Sequence, residues 1–417
     1  MFALVDANSF YCSAEQVFRP EWRGKAIVVL SNNDGCIVAA NRQAKEAGIS
    51  KFVPYFQVKS LCQQKGVIAL SSNYELYGSL SAAMMEVIGR FAPEQHIYSI
   101  DESFLSFRNV YPAIPCLISH GHKIRRAVWK EARLPVCVGI GETLTLAKVA
   151  NHAAKHLPGY AGVCAITTDE ERSYILEQME TKDVWGVGKR IAKRLEAMKV
   201  NTALALSQME PSVARQQFSI ELERTVRELN GIPCKGWDAA RADKKQIFST
   251  RSMGNRISDK ASLLQAITKH VSIAAAKARQ QGSLCKTLLV FASNSPFDER
   301  PTGFKITLPL ELPTNDTCEL IEKAVRDSSL RFQPGVRYYK VGVGLVELCS
   351  EKHFQRDLFN QPKSPALMVA LDCINARYGT DSLFVAGQGV APKWQMKRDL
   401  LTPQYTTRWS HIPKIKC

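Results

Sequence analysis

The first 165 residues alternate short β-branched strands with helical patterns, and this alternation is the feature that most constrains the fold. Strands separated by helices pack into a sheet with helices on its faces, so the segment predicts a mixed α/β unit. The predicted strands cover residues 2–5, 25–31, 36–40, 67–71, 97–100, 103–107, 136–140 and 163–166. The predicted helices cover residues 10–18, 41–47, 74–91, 119–131 and 145–156.

The remainder of the chain changes character twice. Residues 169–231 carry only short helical patterns, and a polar stretch rich in turn residues follows as a tether. Strand patterns then return together with two helices, which predicts a small α+β domain; the strands are 246–249, 287–292, 304–308 and 340–346, and the helices 262–281 and 316–330. After residue 348 prolines interrupt the pattern, and apart from a helix at 366–376 the tail predicts a docking segment rather than a core.

The charge of the chain favours a polyanionic partner. Lys and Arg number 55 against 39 Asp and Glu, a formal charge of +16, and the largest excess lies in residues 244–348, with 16 basic and 9 acidic residues. On charge alone, a merely basic globular protein stays open as the less favoured alternative. The 12 cysteines show neither CxxC pairs nor zinc-ligand spacing, which indicates reduced thiols in a cytoplasmic protein. Neither an export signal nor a membrane-spanning apolar run is indicated.

Three acidic residues carry the clearest chemical signal. Asp6 closes the first strand, and Asp101 and Glu102 separate two later strands by only two residues. Neighbouring side chains on a strand face opposite ways, so Asp101 and Glu102 can converge only in a turn, which predicts a tight hairpin with both at its tip. Carboxylates at adjacent strand ends, completed by the carbonyl of Ala7, suit Mg²⁺ and can hold two ions about 4 Å apart for nucleotidyl transfer. Any one of these acids alone is ordinarily a turn or cap residue.

Two stretches extend this pattern into a family resemblance. Residues 6–15, Asp-Ala-Asn-Ser-Phe-Tyr-Cys-Ser-Ala-Glu, and 98–104, Tyr-Ser-Ile-Asp-Glu-Ser-Phe, resemble the two metal-binding motifs of Y-family translesion DNA polymerases. Residues 30–36, 72–77 and 185–188 resemble the bacterial UmuC branch of that family, and the similarity covers essentially the whole chain. The resemblance implies a right-hand polymerase with an α/β palm and fingers, a helical thumb and an α+β little finger. Its parts are a palm at 1–12 and 74–165, fingers at 13–73, a thumb at 166–232, a linker at 233–243, a little finger at 244–348 and a C-terminal docking tail at 349–417.

The resemblance also implies roles at the nucleotide. Tyr11, beside Phe10, takes the position of the aromatic ring that collides with a ribose 2′-hydroxyl. Lys45 and Lys155 match positions that bind the triphosphate. Arg42 stands where many members carry a tyrosine that touches the phosphates, and either replaces it as a donor or points to solvent. Cys36 and Val38 fall on one face of a strand and match the pocket over the templating base.

Further positions match contacts to DNA. Gly186 and Gly188 resemble the turn of a helix-hairpin-helix motif, with Lys189 and Arg190 adding charge. In the little finger, basic side chains are expected to follow the phosphate backbone without reading sequence: Arg251, Arg256, Lys277, Arg279 and Lys286.

The implied partners go beyond primer–template DNA, a deoxynucleoside triphosphate and two Mg²⁺ ions. Gln355, Leu358 and Phe359 lie in a stretch that resembles the peptide by which bacterial proteins bind the sliding clamp. The UmuC branch implies a processed UmuD-like accessory dimer and the RecA filament, both engaged by residues 360–417, in the DNA damage response of a bacterial cytoplasm.

Two other functions fit parts of the sequence. A palm-type nucleotide cyclase shares the carboxylate geometry but lacks the thumb, tether and basic domain. A DNA-binding scaffold without catalysis would share the charge distribution alone.

Overall fold

The computed structural model describes residues 1–108, 110, 113–236, 243–353 and 365–414. Over these residues the chain divides into two compact units. The first comprises Met1–Ser31, Gly35–Ala239 and Leu400–Cys417, and the second Asn32–Asp34 and Ala240–Asp399. Each unit has its own apolar core.

A five-stranded sheet organises the first unit within the described residues, in the order β5-β6-β1-β7-β8. Strand β1 is antiparallel to both of its neighbours, β6 and β7, and is almost fully buried. A smaller sheet orders its strands β3-β2-β4. The strands are β1 Phe2–Ala7, β2 Ile27–Leu30, β3 Ile37–Ala40, β4 Ile68–Ser71, β5 Glu94–Ile97, β6 Glu102–Ser106, β7 Val136–Gly141 and β8 Val163–Ala165.

Helices pack against these sheets and form the region after β8. They are α1 Phe10–Val17, α2 Arg42–Glu46, α3 Tyr55–Gln64, α4 Tyr74–Gly89, α5 Leu117–Ala132, α6 Leu144–His156, α7 Asp169–Gln178, α8 Lys189–Ala197, α9 Ala203–Ser207, α10 Pro211–Gln217 and α11 Ile220–Leu229. The sequence pattern predicted α1, α2, α4, α5 and α6 but missed α3, whose only buried residue is Cys62, so that its apolar periodicity is weak.

Helix α6 lies unusually close to β7, and two glycines make this possible. A Cβ atom on Gly139 would lie 2.0 Å from the backbone nitrogen of Asn151, and one on Gly141 would lie 2.8 Å from the Cβ of Leu146. Asn151 fixes the contact from the helix side, since its Nδ2 donates to the carbonyl oxygens of Leu4 at 3.3 Å and Cys137 at 3.0 Å. Helix α6 is thereby held against the two central strands.

The second unit is an antiparallel four-stranded sheet, in the described residues, ordered β11-β10-β12-β9, with two helices packed on it. Pro309 lies within β11, which the edge position of that strand allows because an unpaired edge needs no N–H donor. The elements are β9 Ile247–Ile257, α12 Lys260–Gln281, β10 Ser283–Ser293, β11 Gly303–Thr314, α13 Thr317–Ser329, β12 Tyr338–Ser350 and α14 Ala366–Tyr378.

The expectation that the tail lies outside any core is wrong for its described part. Met368 on α14 is 3% exposed, and Trp394 is 7% exposed within the core of the second unit. Arg279 of α12 binds the Asp372 carboxylate through two hydrogen bonds of 2.7 and 2.8 Å. Arg279 is therefore a structural residue of α12 and α14, which corrects its assignment as a DNA contact.

Candidate active site

The three predicted carboxylates lie at one end of the central strand pair of the first unit. Asp6 on β1 stands directly opposite Glu102 on β6 in the antiparallel register. The backbone N–H of Ala7 donates to the carbonyl oxygen of Asp101 at 2.9 Å, which holds Asp101 beside the end of β1. Because directly opposed residues have Cβ atoms about 5 Å apart, the register brings the carboxylates of Asp6 and Glu102 to the same edge.

The turn that presents Asp101 is longer than the tight hairpin expected from the sequence. Ile97 pairs with Ser103, so residues 98–102 connect the paired positions. The Ser99 hydroxyl donates to Asp101 Oδ1 at 2.6 Å and accepts from the N–H groups of Asp101 and Glu102 at 3.2 and 3.1 Å. A serine side chain thus organises the turn, and this local bond explains why the strand ends before the predicted boundary.

Two lysines of α6 pair with these carboxylates. Lys155 Nζ lies 2.7 Å from Asp6 Oδ2, and Lys148 Nζ lies 2.6 Å from Glu102 Oε1. Burial raises the pKa of Asp6, Lys155 opposes that rise, and the neighbouring charges of Glu102 and Asp101 add to it. Lys155 was predicted at this site and Lys148 was not.

Lys148 lies inside an aromatic enclosure. Its Nζ is 4.6 Å from the ring centre of Tyr98, 5.8 Å from that of Phe104 and 5.4 Å from that of Trp185. The negative face of each ring attracts the ammonium group. The sequence held a signal for it, since Lys148 and Lys155 are seven residues apart and fall on one face of a helix.

The donor set fits a hard divalent cation in type and position. Carboxylate and carbonyl oxygens are the ligands that Mg²⁺ prefers, and Asp6, Asp101, Glu102 and the Ala7 carbonyl gather near one sheet edge. Asp6, Glu102, Lys148 and Lys155 line a cavity of about 260 Å³. In the described parts of the chain, no three His, Cys, Asp or Glu side chains are drawn together as a ready metal cage.

Tyr11 lies on α1 near this edge. Its half-buried ring stacks on Tyr77 of α4 with centroids 4.6 Å apart and planes 17° apart, and Tyr74 meets it edge-on at 6.3 Å. Burial raises the pKa of Tyr11, and the neighbouring groups Tyr74 and Asp101 add to the rise. Phe10 is 3% exposed in the core, so it supports α1 from within and does not face a ligand.

The residues predicted to lie in the fingers are grouped around the smaller sheet, with Cys36 directly before β3, Val38 on it, and Arg42 and Lys45 on α2. Asn41 caps α2 by accepting from the N–H of Ala44 at 3.0 Å, and Lys45 is exposed on that helix. The Arg42 side chain is 81% exposed and pairs with Glu46 at 3.3 Å, which is the solvent-facing alternative of the two that the sequence left open. Cys36 and Val38 are both half-buried.

The turn before α8 brings two glycines and two basic residues to the start of that helix. Gly186 adopts a φ of +92°, which favours glycine, and Gly188 is the N-terminal cap residue of α8. Lys189 and Arg190 are exposed in the first turn of that helix. Backbone N–H groups at a helix start, flanked by cations, can bind an anion.

The basic residues of the second unit differ in whether their charge is exposed or already paired with a carboxylate. Arg251 on β9 is exposed, as are Lys277 and Lys286. Arg256 forms two hydrogen bonds with the Asp298 carboxylate, at 2.6 and 2.8 Å, so its charge is already paired. Gln355, Leu358 and Phe359, the predicted clamp-binding residues, lie outside the described residues.

A search of the described residues finds no helix that combines the length and the apolar character of a membrane span.

Comparison with known proteins identifies the family. Residues 5–152 match the impB/mucB/samB family, residues 244–358 match the C-terminal domain of that family, and residues 365–415 match a domain of unknown function, DUF4113. The protein UmuC of Salmonella typhimurium is 41% identical over 100% of both chains, and the protein MucB of Escherichia coli is 38% identical over 99% of both.

Solved structures agree on the fold. A chimeric Y-family DNA polymerase superposes with a TM-score of 0.64 at 18% identity, over 84% of this chain and 100% of the other. An insertion ternary complex of Dbh DNA polymerase gives a TM-score of 0.54 over the same shares, also at 18% identity. Full-length identity to the bacterial relatives, two matching family domains and a shared fold together place the chain: it belongs to the impB/mucB/samB family, the UmuC branch of the Y-family translesion DNA polymerases.

Proposed function

We propose that this DNA-directed DNA polymerase performs error-prone translesion synthesis through the site at the ends of β1 and β6, with Asp6, Asp101, Glu102 and the Ala7 carbonyl as ligands for two Mg²⁺ ions. The observation that carries the proposal is the register that sets Asp6 opposite Glu102, with the Asp101 carbonyl bonded to the N–H of Ala7. Polymerases of this family generally depend on divalent metal ions.

When bound, the ions activate a primer 3′-hydroxyl and neutralise the triphosphate and the leaving pyrophosphate. The residues of the chain orient the reactants around them. Lys155 and the exposed Lys45 supply fixed positive charge for the triphosphate, while Lys148 keeps Glu102 in place through its 2.6 Å contact. A carboxylate needs such restraint because binding geometry must be held to within about 0.5 Å.

The sugar and the templating base meet different surfaces. The ring of Tyr11 acts as the steric gate against a ribose 2′-hydroxyl, and Cys36 and Val38 border the templating base. Discrimination by a clash can exceed what a lost hydrogen bond supplies, since an occupied position cannot be entered. Arg42, paired with Glu46, reaches the triphosphate only if that ion pair opens.

Contacts with DNA and with other proteins complete the proposal. The turn at Gly186 and Gly188, with Lys189 and Arg190, binds a DNA phosphate, and the exposed Arg251 follows the backbone of the duplex. Gln355, Leu358 and Phe359 bind the sliding clamp, and residues 360–417 engage a processed UmuD-like dimer and the RecA filament. The expected compartment is the bacterial cytoplasm.

Primer extension on an abasic template tests the catalytic assignment. Wild-type protein with its accessory partners is expected to extend the primer, and the combined change Asp101→Ala and Glu102→Ala should abolish extension while leaving DNA binding in place. Glu94→Ala, which removes an exposed carboxylate from β5 of the same hairpin, is the matched control and should extend normally. Full activity of the double variant would refute the metal assignment, whereas failure of the wild type would point to the scaffold function and a cyclic product to the cyclase.

A further inference from the structure

Residues 400–405, referred to below as the strap, belong to the first unit although they come near the end of the chain. The strap joins the end of β4 through two hydrogen bonds. The N–H of Ser71 donates to the Leu400 carbonyl oxygen at 3.0 Å, and the N–H of Leu400 donates to the Ser71 hydroxyl at 2.9 Å. Tyr405 ends the strap by stacking on Phe18 with centroids 4.7 Å apart.

Asn73 anchors the middle of the strap. Its fully buried amide nitrogen donates to the Thr402 carbonyl oxygen at 3.1 Å, the Thr402 hydroxyl at 3.0 Å and the Pro403 carbonyl oxygen at 3.3 Å. The side-chain oxygen Oδ1 of Asn73 accepts from the N–H of Leu76 at 3.4 Å and caps α4. One buried residue therefore couples the strap to the start of the helix that carries Tyr77.

The strap lies beside a buried carboxylate that holds Tyr77. The Tyr77 hydroxyl donates to Glu15 Oε1 at 2.7 Å, and Glu15 is 1% exposed. Oε2 of Glu15 is buried without a hydrogen-bond partner among the described residues. Burial raises the pKa of Glu15, and the hydroxyl groups of Tyr77 and Thr402 oppose the rise. The Tyr77 ring, whose hydroxyl is bonded to Glu15, is stacked on the ring of Tyr11.

We propose that the strap is a positioning element for sugar selection, which holds Tyr77 through Asn73 and Glu15 and thereby fixes the ring of Tyr11. The proposal rests on the proposed role of Tyr11 as the steric gate. A gate that works by collision needs a rigid support, because a ring free to withdraw by 1 Å no longer excludes a single hydroxyl. The strap supplies such support from a segment that the family comparison matches only to a domain of unknown function.

Two truncations separate the strap from the rest of the tail. A chain ending at Asp399 lacks the strap, and a chain ending at Thr407 keeps it. For each, kcat/KM is measured for a deoxyribonucleotide and for the ribonucleotide with the same base. We expect the chain ending at Asp399 to lose about tenfold in the ratio of the two values. The chain ending at Thr407 should keep the full-length ratio, because loss of the partner contacts proposed for residues 360–417 lowers both values together. If both nucleotides lose kcat/KM equally, the strap stabilises the fold only and the proposal fails.

A gentler variant and a double-variant cycle complete the test. Thr402→Val keeps the shape of the side chain but removes the hydroxyl that accepts from Asn73 Nδ2 at 3.0 Å, and should lower the ratio about threefold. This variant tests the proposal if the chain ending at Asp399 does not fold. In a Tyr11→Ala background neither change should alter the ratio further. An unchanged ratio in Tyr11→Ala alone would remove the gate assignment itself. The strap proposal alone would be overturned if Tyr11→Ala lowered the ratio while Thr402→Val and the chain ending at Asp399 both kept the wild-type ratio. The gate assignment would then stand.

Discussion

Glu228 of α11 is buried at 0% exposure and connects α11 to the start of α6. Its Oε2 accepts from the N–H of Thr145 at 3.0 Å and from the Thr145 hydroxyl at 2.5 Å. Its Oε1 accepts from the N–H groups of Cys234 and Lys235 at 3.2 and 2.7 Å. Because α6 carries Lys148 and Lys155, this carboxylate also supports the candidate active site.

Glu228→Gln tests that support without creating a cavity. The new side-chain NH₂ would face hydrogen-bond donors whether it points toward Thr145 or toward the N–H groups of Cys234 and Lys235. The orientation toward Thr145 costs less, because the Thr145 hydroxyl can rotate and accept a hydrogen bond from the NH₂ group. One charge-assisted hydrogen bond, to the N–H of Thr145, is then lost and the others lose their charge. A hydrogen bond to a charged group contributes about 1.5–3 kcal/mol, so we expect the junction to lose about 2–3 kcal/mol.

Hydrogen exchange of the full chain, followed by mass spectrometry, measures this locally. A loss of about 2–3 kcal/mol corresponds to exchange roughly 30- to 150-fold faster in peptides covering α6 and α11. Glu221→Gln on the same helix, an exposed residue paired with Arg224 at 2.9 Å, is the control and should change exchange by less than about threefold. Exchange in Glu228→Gln within twofold of wild type would refute the reasoning.

Three further predictions follow from other contacts. Gly139→Ala should destabilise the first unit by at least about 3 kcal/mol in urea unfolding, because its Cβ would lie 2.0 Å from the Asn151 nitrogen; a change below about 1 kcal/mol would contradict the close packing. Burial, with the charges of Arg251 and Lys269, lowers the pKa of His270 to about 4. The folded state therefore favours the neutral imidazole, and the stabilisation is complete above pH 6.5 and is lost, by up to roughly 3 kcal/mol, as the pH falls to 4. Hydrogen exchange in α12 should accelerate over that pH range in the wild-type protein and not in His270→Gln. Arg251→Ala should weaken DNA binding and reduce its salt dependence more than Arg256→Ala does, because Asp298 already neutralises Arg256; equal effects would oppose this distinction.

The local pattern of the sequence predicted most elements of both units. Strand and helix periodicities are properties of neighbouring residues, so the helix opened by Asn41 and the strand after Asp101 were found without the structure, whereas the strand predicted at 97–100 shares only Ile97 with β5. The placement of Asp6 at the end of an apolar strand was equally local. The boundaries of the hairpin could not be predicted locally, because the Ser99 side chain ends β5 early by bonding to Asp101.

The assembly of the site depended on contacts between distant segments. Only the pairing of β1 with β6 sets Asp6 opposite Glu102, and only the packing of α6 on β7 brings Lys148 to Glu102. The strap lies 329 positions after Asn73, and no periodicity along the chain records such a contact. The sequence by itself thus determined which local structures form and which chemical groups they carry. The tertiary structure decided which of those groups meet, because burial and hydrogen bonding between remote segments are satisfied only once the whole unit has folded.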